Sequence, residues 1–201
     1  MGINTRPHLW PKPSRTCSFL HIERDLHVSK SELHWFYQDG ASHVFPDAFE
    51  PYHNHIPEGE QDALIPAYYK RLTDEDVDVR RAAAKEWTRW EMATSRLFPD
   101  PSYLEKAEDL DFAVAFARIE CHYFINGIFV EEAYILNNSS IIEHIPAVIV
   151  QGRYDMVCPV KSAWELHKEL PASELIIVPD AGHSMGEVSI AKSLVDATNT
   201  I

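Results

Sequence analysis

The C-terminal quarter of the chain alternates short apolar runs with a helical periodicity. Pro146–Val150 is a β-branched apolar run of the kind a buried parallel strand requires. Val160–Leu170 repeats its apolar residues at helical spacing, with Trp164 and Leu166 among them, and Glu174–Pro179 is a second apolar run. Strand, helix and strand in roughly 30 residues predict a βαβ crossover. In such sheets the chemistry sits outside the carboxyl ends of the strands. Gly152-Arg153-Tyr154-Asp155 follows the first run, and Ala181-Gly182-His183 follows the second. The pattern therefore predicts Asp155 and His183 side by side, within hydrogen-bond reach. An aspartate that orients a proton-transferring histidine is two thirds of a hydrolytic triad.

Upstream, the pattern turns helical from Glu58 to about Phe129. Gln61–Leu72 forms one segment, with Pro66 near its start. Thr73, with Asp76 three residues on, resembles a capping-box start for the next helix. Asp74, Glu75 and Asp76 favour that helix N-terminus through its dipole. Val77, Ala84, Trp87, Trp90 and Leu97 supply apolar positions, and Pro99 and Pro101 are expected to end it. A third helix is predicted over about Glu105–Phe124, with Leu110, Val114, Ala117 and Cys121 on one face. Earlier, Lys30–Tyr37 reads as a short helix. The stretch after it, punctuated by Gly40, Pro46, Pro51 and Pro57, reads as irregular connections. Met1 to about Asp25 carries Pro7, Pro11 and Pro13 and no acid before Glu23, so an irregular leader is expected. The prolines argue against a transit helix, and Arg6 stands where a myristoylation signal wants Ser or Thr. The resulting division is a leader (1–25), a connecting segment with a short helix (26–57), a helical unit (58–140) and the βαβ part (141–201).

Composition narrows the partners. With 31 acidic against 18 basic residues the formal net charge is −13, which argues against nucleic acid or an anionic membrane. No apolar run approaches the ~20 residues of a membrane span. Three cysteines without framework spacing fit a reducing compartment, and the cytoplasm is the simplest location. His34, His43, His53 and His55 invite a metal reading, but no HExxH or CxxC spacing accompanies them. They read as scattered surface histidines, and no metal or cofactor is expected.

Two carboxylates stand in unusual company. Glu91 follows two tryptophans in WTRWEMA, and Glu120 lies in the otherwise apolar AVAFARIECHYFI. Burying either is costly unless it is paired. The residues alone leave open an internal salt bridge with Arg89 or Arg118, or simple exposure. Gly182-His183-Ser184-Met185-Gly186 fits G-x-S-x-G, which would make Ser184 a nucleophile. Cys158, near Asp155, raises the same question as a thiolate.

GRYDMVCP followed by PDAGHS resembles the C-terminal end of the α/β-hydrolase fold, and more narrowly the prolyl aminopeptidase, or proline iminopeptidase, family. The resemblance runs from about Leu26 to the C-terminus and includes SELHWFYQDGASHVFPDAFE, KEWTRWE and ARIECHYF. It implies the last parallel strands of that fold with their flanking helices, plus a helical cap over the active site. It implies Asp155 as triad acid and His183 as triad histidine. Glu91 and Glu120 match family glutamates that receive the charged imino group of an N-terminal proline. Trp35-Phe36-Tyr37 matches an aromatic stretch of the family, and aromatic residues beside the acids could pack on the substrate's pyrrolidine ring. The implied substrate is a peptide with an N-terminal proline. The family's glycine-rich oxyanion segment and nucleophile elbow belong N-terminal to Leu26, and neither is in this sequence; 7 glycines are few for the whole fold. In this fold the acid and the histidine follow the nucleophile. That order argues against Ser184, and Cys158 matches a family cysteine that is not the nucleophile. The expectation is a chain inactive alone, with an exposed sheet edge prone to self-association. The alternative is a non-catalytic remnant that binds a peptide or protein.

Overall fold

The computed structural model describes residues 20–23 and 29–199. Helix α1, Lys30–Tyr37, starts at a capping box: the Ser29 hydroxyl accepts the Glu32 N–H, and the Glu32 carboxylate takes the Ser29 N–H. The proline-punctuated stretch expected to be irregular contains a second helix, α2, Pro46–Asn54. Pro46 sits in its first turn, where the missing N–H is no loss. What holds α2 is burial. Tyr52 is fully enclosed, its ring against Phe49, Tyr68, Trp87 and Trp90.

A 3₁₀ segment, Glu58–Ala63, leads into α3, Leu64–Leu72. The next helix, α4, Val77–Thr94, is capped by Asp76, whose carboxylate accepts the Asp78 N–H at 2.8 Å. The capping-box start expected at Thr73 is therefore corrected. Thr73 closes α3 instead, its hydroxyl donating to the Tyr69 carbonyl at 2.7 Å. Helix α4 also stops short of Pro99. A turn, Ser95–Leu97, leaves it before the short α5, Pro101–Leu104. Helix α6, Leu110–Ile125, is capped by Asp109, and α7, Tyr134–Asn137, follows. One aromatic-rich core joins α1, α2, α3, α4 and α6, with Trp87 and Trp90 fully buried at its centre.

Among the described residues the sheet is three-stranded and parallel, in the order β1 (Leu20–Glu23), β2 (Ala147–Gly152), β3 (Ser173–Val178). β2 is buried along its whole length, as a central parallel strand must be. Helix α8, Val160–Glu169, covers one face with Ala163 and Leu166 on Ile149. Helix α9, Val188–Asn199, covers the other, with Ile190 and Ala197 against Val148 and Val150. β1 falls inside the stretch expected to be an irregular leader. The expectation is corrected for Leu20–Glu23, which pair with Ala147–Val150; residues 1–19 lie outside the described residues. No single helix among the described residues is long and apolar enough to cross a membrane.

Candidate active site

β2 and β3 run parallel, in register from Ala147↔Ser173 to Gly152↔Val178, so the loops leaving them emerge together. Contact between those loops is intimate. A Cβ on Gly152 would lie 1.9 Å from the Gly182 carbonyl oxygen, so no other residue fits there without moving the histidine loop. The approach brings Asp155 and His183 together, with Nδ1 of His183 2.9 Å from Oδ2 of Asp155.

The aspartate is buried and held from four sides. Its Oδ1 accepts the N–H groups of Val157 (3.0 Å) and Cys158 (2.8 Å). Its Oδ2 accepts the Gln151 side-chain amide at 2.7 Å as well as His183. Gln151 is itself fixed by the Cys158 carbonyl at 2.9 Å. A carboxylate saturated with donors has only acceptor capacity to offer, so Nδ1 of His183 carries the proton. Nε2 then holds the lone pair that can take a proton from a nucleophile. Among the described residues it has no hydrogen-bond partner.

Ser184 is not placed to use that lone pair. The residue is 3% exposed, and its hydroxyl bonds Tyr103 (3.3 Å) and the Gly186 N–H (3.3 Å). Neither of these bonds is to His183.

The second pair lies in the helical core. Glu91, on α4, is 6% exposed and accepts a short hydrogen bond from the Tyr37 hydroxyl. Glu120, on α6, accepts the Trp87 indole N–H at 3.0 Å. Burial raises the Glu91 carboxyl well above its ordinary range. The neighbouring Glu120 adds to this, and the Tyr37 bond only partly opposes it. Burial likewise raises Glu120 to about 7, against the Trp87 bond. The charge on Glu120 is thus felt at Glu91 across the helical core. Among the described residues neither has a cationic partner: Arg89 pairs with Glu86, and Arg118 lines an outer groove with Arg80 and Arg81. Of the aromatic triplet, Tyr37 faces the acids. Phe36 packs on Trp90, and Trp35 donates its indole N–H to the Met156 carbonyl in the acid loop at 2.9 Å. That outer groove, about 640 Å³ between α3, α4 and α6, is lined by none of the four residues of the two pairs.

The two pairs are joined through the backbone. The Glu91 carbonyl accepts the Ser95 N–H (3.1 Å), and the Ser95 carbonyl accepts the N–H groups of His183 (3.2 Å) and Ser184 (2.8 Å). Glu187, which no sequence pattern singles out, adds a carboxylate across the same joint. It accepts the N–H of Gly182 at 2.9 Å and that of Leu97 at 3.1 Å. No group of three or more His, Cys, Asp or Glu residues that could hold a metal ion occurs among the described residues. His43 instead bonds Asp39 on the surface.

A protein of Leptolyngbya boryana named as a probable proline iminopeptidase is 60% identical over 173 residues, 86% of this chain and 54% of its own length. The proline iminopeptidase of Xanthomonas citri is 52% identical over 86% of this chain and 55% of its own length. That of Arabidopsis thaliana is 50% identical over 85% of this chain and 45% of its own length. The chain thus spans about half the length of the curated relatives it matches. The profile of the α/β-hydrolase fold matches residues 44–189. With its parallel strands, their acid and histidine loops and this match in hand, the chain belongs to the α/β-hydrolase fold family and is a homologue of the proline iminopeptidases.

Proposed function

We propose that these residues form the acid–histidine and cap portion of a hydrolase that releases N-terminal proline from peptides. The observation that carries this reading is the pair of under-satisfied carboxylates, Glu91 and Glu120, tied by one turn of backbone to the Asp155–His183 dyad. A prolyl amino terminus is a secondary ammonium with two N–H donors and one charge, and two carboxylates answer both. His183 would take a proton from the nucleophile through Nε2 and later return it to the leaving amine, while Asp155 stabilises the imidazolium. Glu91, Glu120 and Tyr37 would hold the amino end, and α1–α6 would act as the cap. The attacking serine and the oxyanion donors are proposed to come from outside these 201 residues. The engagement of Ser184 with Tyr103 and the half-length match to the relatives support this. A cytoplasmic setting accompanies the proposal.

The test is an assay of proline arylamides with the 201-residue chain and with a chimaera. In the chimaera the N-terminal portion of the Leptolyngbya boryana relative precedes residues 26–201. The chain alone is expected to be silent. Loss of a triad serine costs on the order of 10⁶ in kcat, and without oxyanion donors little of the residual catalysis survives. The chimaera is expected to turn over, and to stop on His183→Ala. A folded but silent chimaera would sink the reading. Activity of the chain alone that vanishes on Ser184→Ala would restore that serine. The alternative, a binding protein without turnover, predicts that prolinamide binds the chain while no chimaera works.

A further inference from the structure

Glu187 is the residue that the proposed chemistry does not yet use. It stands immediately before α9, and its carbonyl takes the first helical bond from Ala191 at 2.9 Å. An acid in that place would ordinarily serve its own helix N-terminus. Its carboxylate instead turns back. One oxygen, Oε1, accepts the Gly182 N–H of the histidine loop, and the other, Oε2, accepts the Leu97 N–H of the turn behind α4. These two donors belong to segments 85 residues apart in the chain, and an acid can bridge them only because both its oxygens accept. Gly182 has no space for a side chain there: a Cβ would lie 2.8 Å from the Leu97 nitrogen. The histidine loop and the α4 turn are thus in direct backbone contact, closed on one side by Ser95 and on the other by Glu187.

We propose that Glu187 is a positioning residue that sets where His183 stands relative to Glu91. Glu91 lies one turn before the clamped segment and His183 one residue after the clamped glycine. With the clamp closed, the substrate's amino-end site and the proton-transferring imidazole share one rigid piece of backbone. This inference rests on the functional reading for its meaning, but its geometry is tested without it. Glu187→Gln keeps the shape and one acceptor oxygen, yet sets an amide N–H₂ against the second backbone N–H. One of the two bonds must open. Glu187→Asp keeps the charge but is one methylene too short to span both donors.

The experiment is NMR on the full 201-residue chain, reading the backbone amides of Gly182 and Leu97 and the imidazole Nδ1–H of His183. Ile190→Ala serves as a destabilised control, since Ile190 is buried in the α9 core and supplies no acceptor to the clamp donors. The expected result is at least tenfold faster solvent exchange of one clamped amide, and of the Nδ1–H, in Glu187→Gln. Ile190→Ala should lower Tm and leave the Nδ1–H unchanged. An Nδ1–H signal in Glu187→Gln with the shift and exchange of the wild type overturns the proposal, as does equal loss in the control. Should Glu187→Gln fail to fold, Glu187→Asp is read in the same way. Prolinamide titration of the same samples judges the functional reading separately. Absence of binding sinks that reading, while the exchange data still decide the clamp.

Discussion

The sheet region and the helical region each bury acid, and they treat it in opposite ways. Asp155 lies in a loop that folds its own donors around it: two backbone N–H groups within three residues, Gln151 four residues before, and His183 across the strand pair. Glu91 and Glu120 sit on long helices whose backbone donors are already spent on the helix, so only side chains can reach them. Each receives one such bond, from Tyr37 and Trp87. Burial pushes both acids towards the neutral form, and for Glu91 the neighbouring Glu120 adds to it. A carboxylate already supplied with four donors orients something. A carboxylate pair left short of donors waits for a cation. The proposed function rests on that difference, with Asp155 as its machinery and the helical pair as its substrate site.

The sharpest way to break this contrast is Asp155→Asn in the chimaera. The amide cannot accept His183 and keep its other bonds, and the imidazole turns to the wrong tautomer. A fall in kcat of about 10⁴-fold is expected, as for the equivalent change in a serine-protease triad, with KM little moved. A loss below tenfold would mean that Asp155 only braces its loop. The second test is Glu91→Gln, assayed on a proline arylamide and on an uncharged ester. Truncating one partner of a buried charge pair costs about 2–5 kcal/mol, so the arylamide should lose roughly 30- to several-thousand-fold by that principle. The ester should lose far less. Equal loss on both would show that Glu91 supports the helix rather than the substrate.

How far the sequence revealed this can be read from particular residues. Lys30–Tyr37 was legible because its start signal, Ser29 with Glu32, is local. The strands Ala147–Gly152 and Ser173–Val178 were legible because a parallel interior strand has no choice but apolar. Asp155 and His183 followed from those strands. Helix α2 was hidden by Pro46 and Pro51, whose local cost is offset by the burial of Tyr52, a tertiary effect. β1 was hidden because only its register with β2 makes Leu20–Glu23 a strand. Glu187 was invisible for the same reason: its meaning lies in Leu97, 90 residues away. Glu91 and Glu120 could be noticed by their apolar company, but the donors Tyr37 and Trp87 come from the packed core.

A third test asks whether the helical-region acids really lack compensation, through pH. Glu120 is lifted from its ordinary 4.5 to about 7. A raised carboxyl favours the native state while protonated, so its contribution is full below 4.5 and is lost as pH rises through 7. At most about 3 kcal/mol follows from that interval, reduced by the partial exposure of Glu120. Urea unfolding from pH 4.5 to 8 should show the wild type losing stability relative to Glu120→Gln. Prolinamide should restore part of the difference at high pH. Parallel curves would mean that a cation or a water network already serves the pair.

The smallest effect tests what holds α4, the helix that carries Glu91. If burial holds it, as the fully enclosed Trp87 and Trp90 indicate, its start should matter only as much as one cap does. Asp76→Ala removes the acceptor of the Asp78 N–H and leaves the buried face intact. A loss of about 1 kcal/mol is expected, the usual worth of an N-cap. Thr73→Ala, on the residue that resembles a cap in the sequence, should cost less. Its exposed hydroxyl doubles up on the Tyr69 carbonyl, which already accepts the Thr73 N–H at 3.1 Å, and reaches the Lys70 carbonyl only at 3.4 Å. Both numbers are read from the denaturant midpoint at constant m-value. Were Thr73→Ala the costlier change, the helix would begin where the sequence pattern puts it. The first turn of α4 would then be a local structure rather than one set by its packing on α3 and α6.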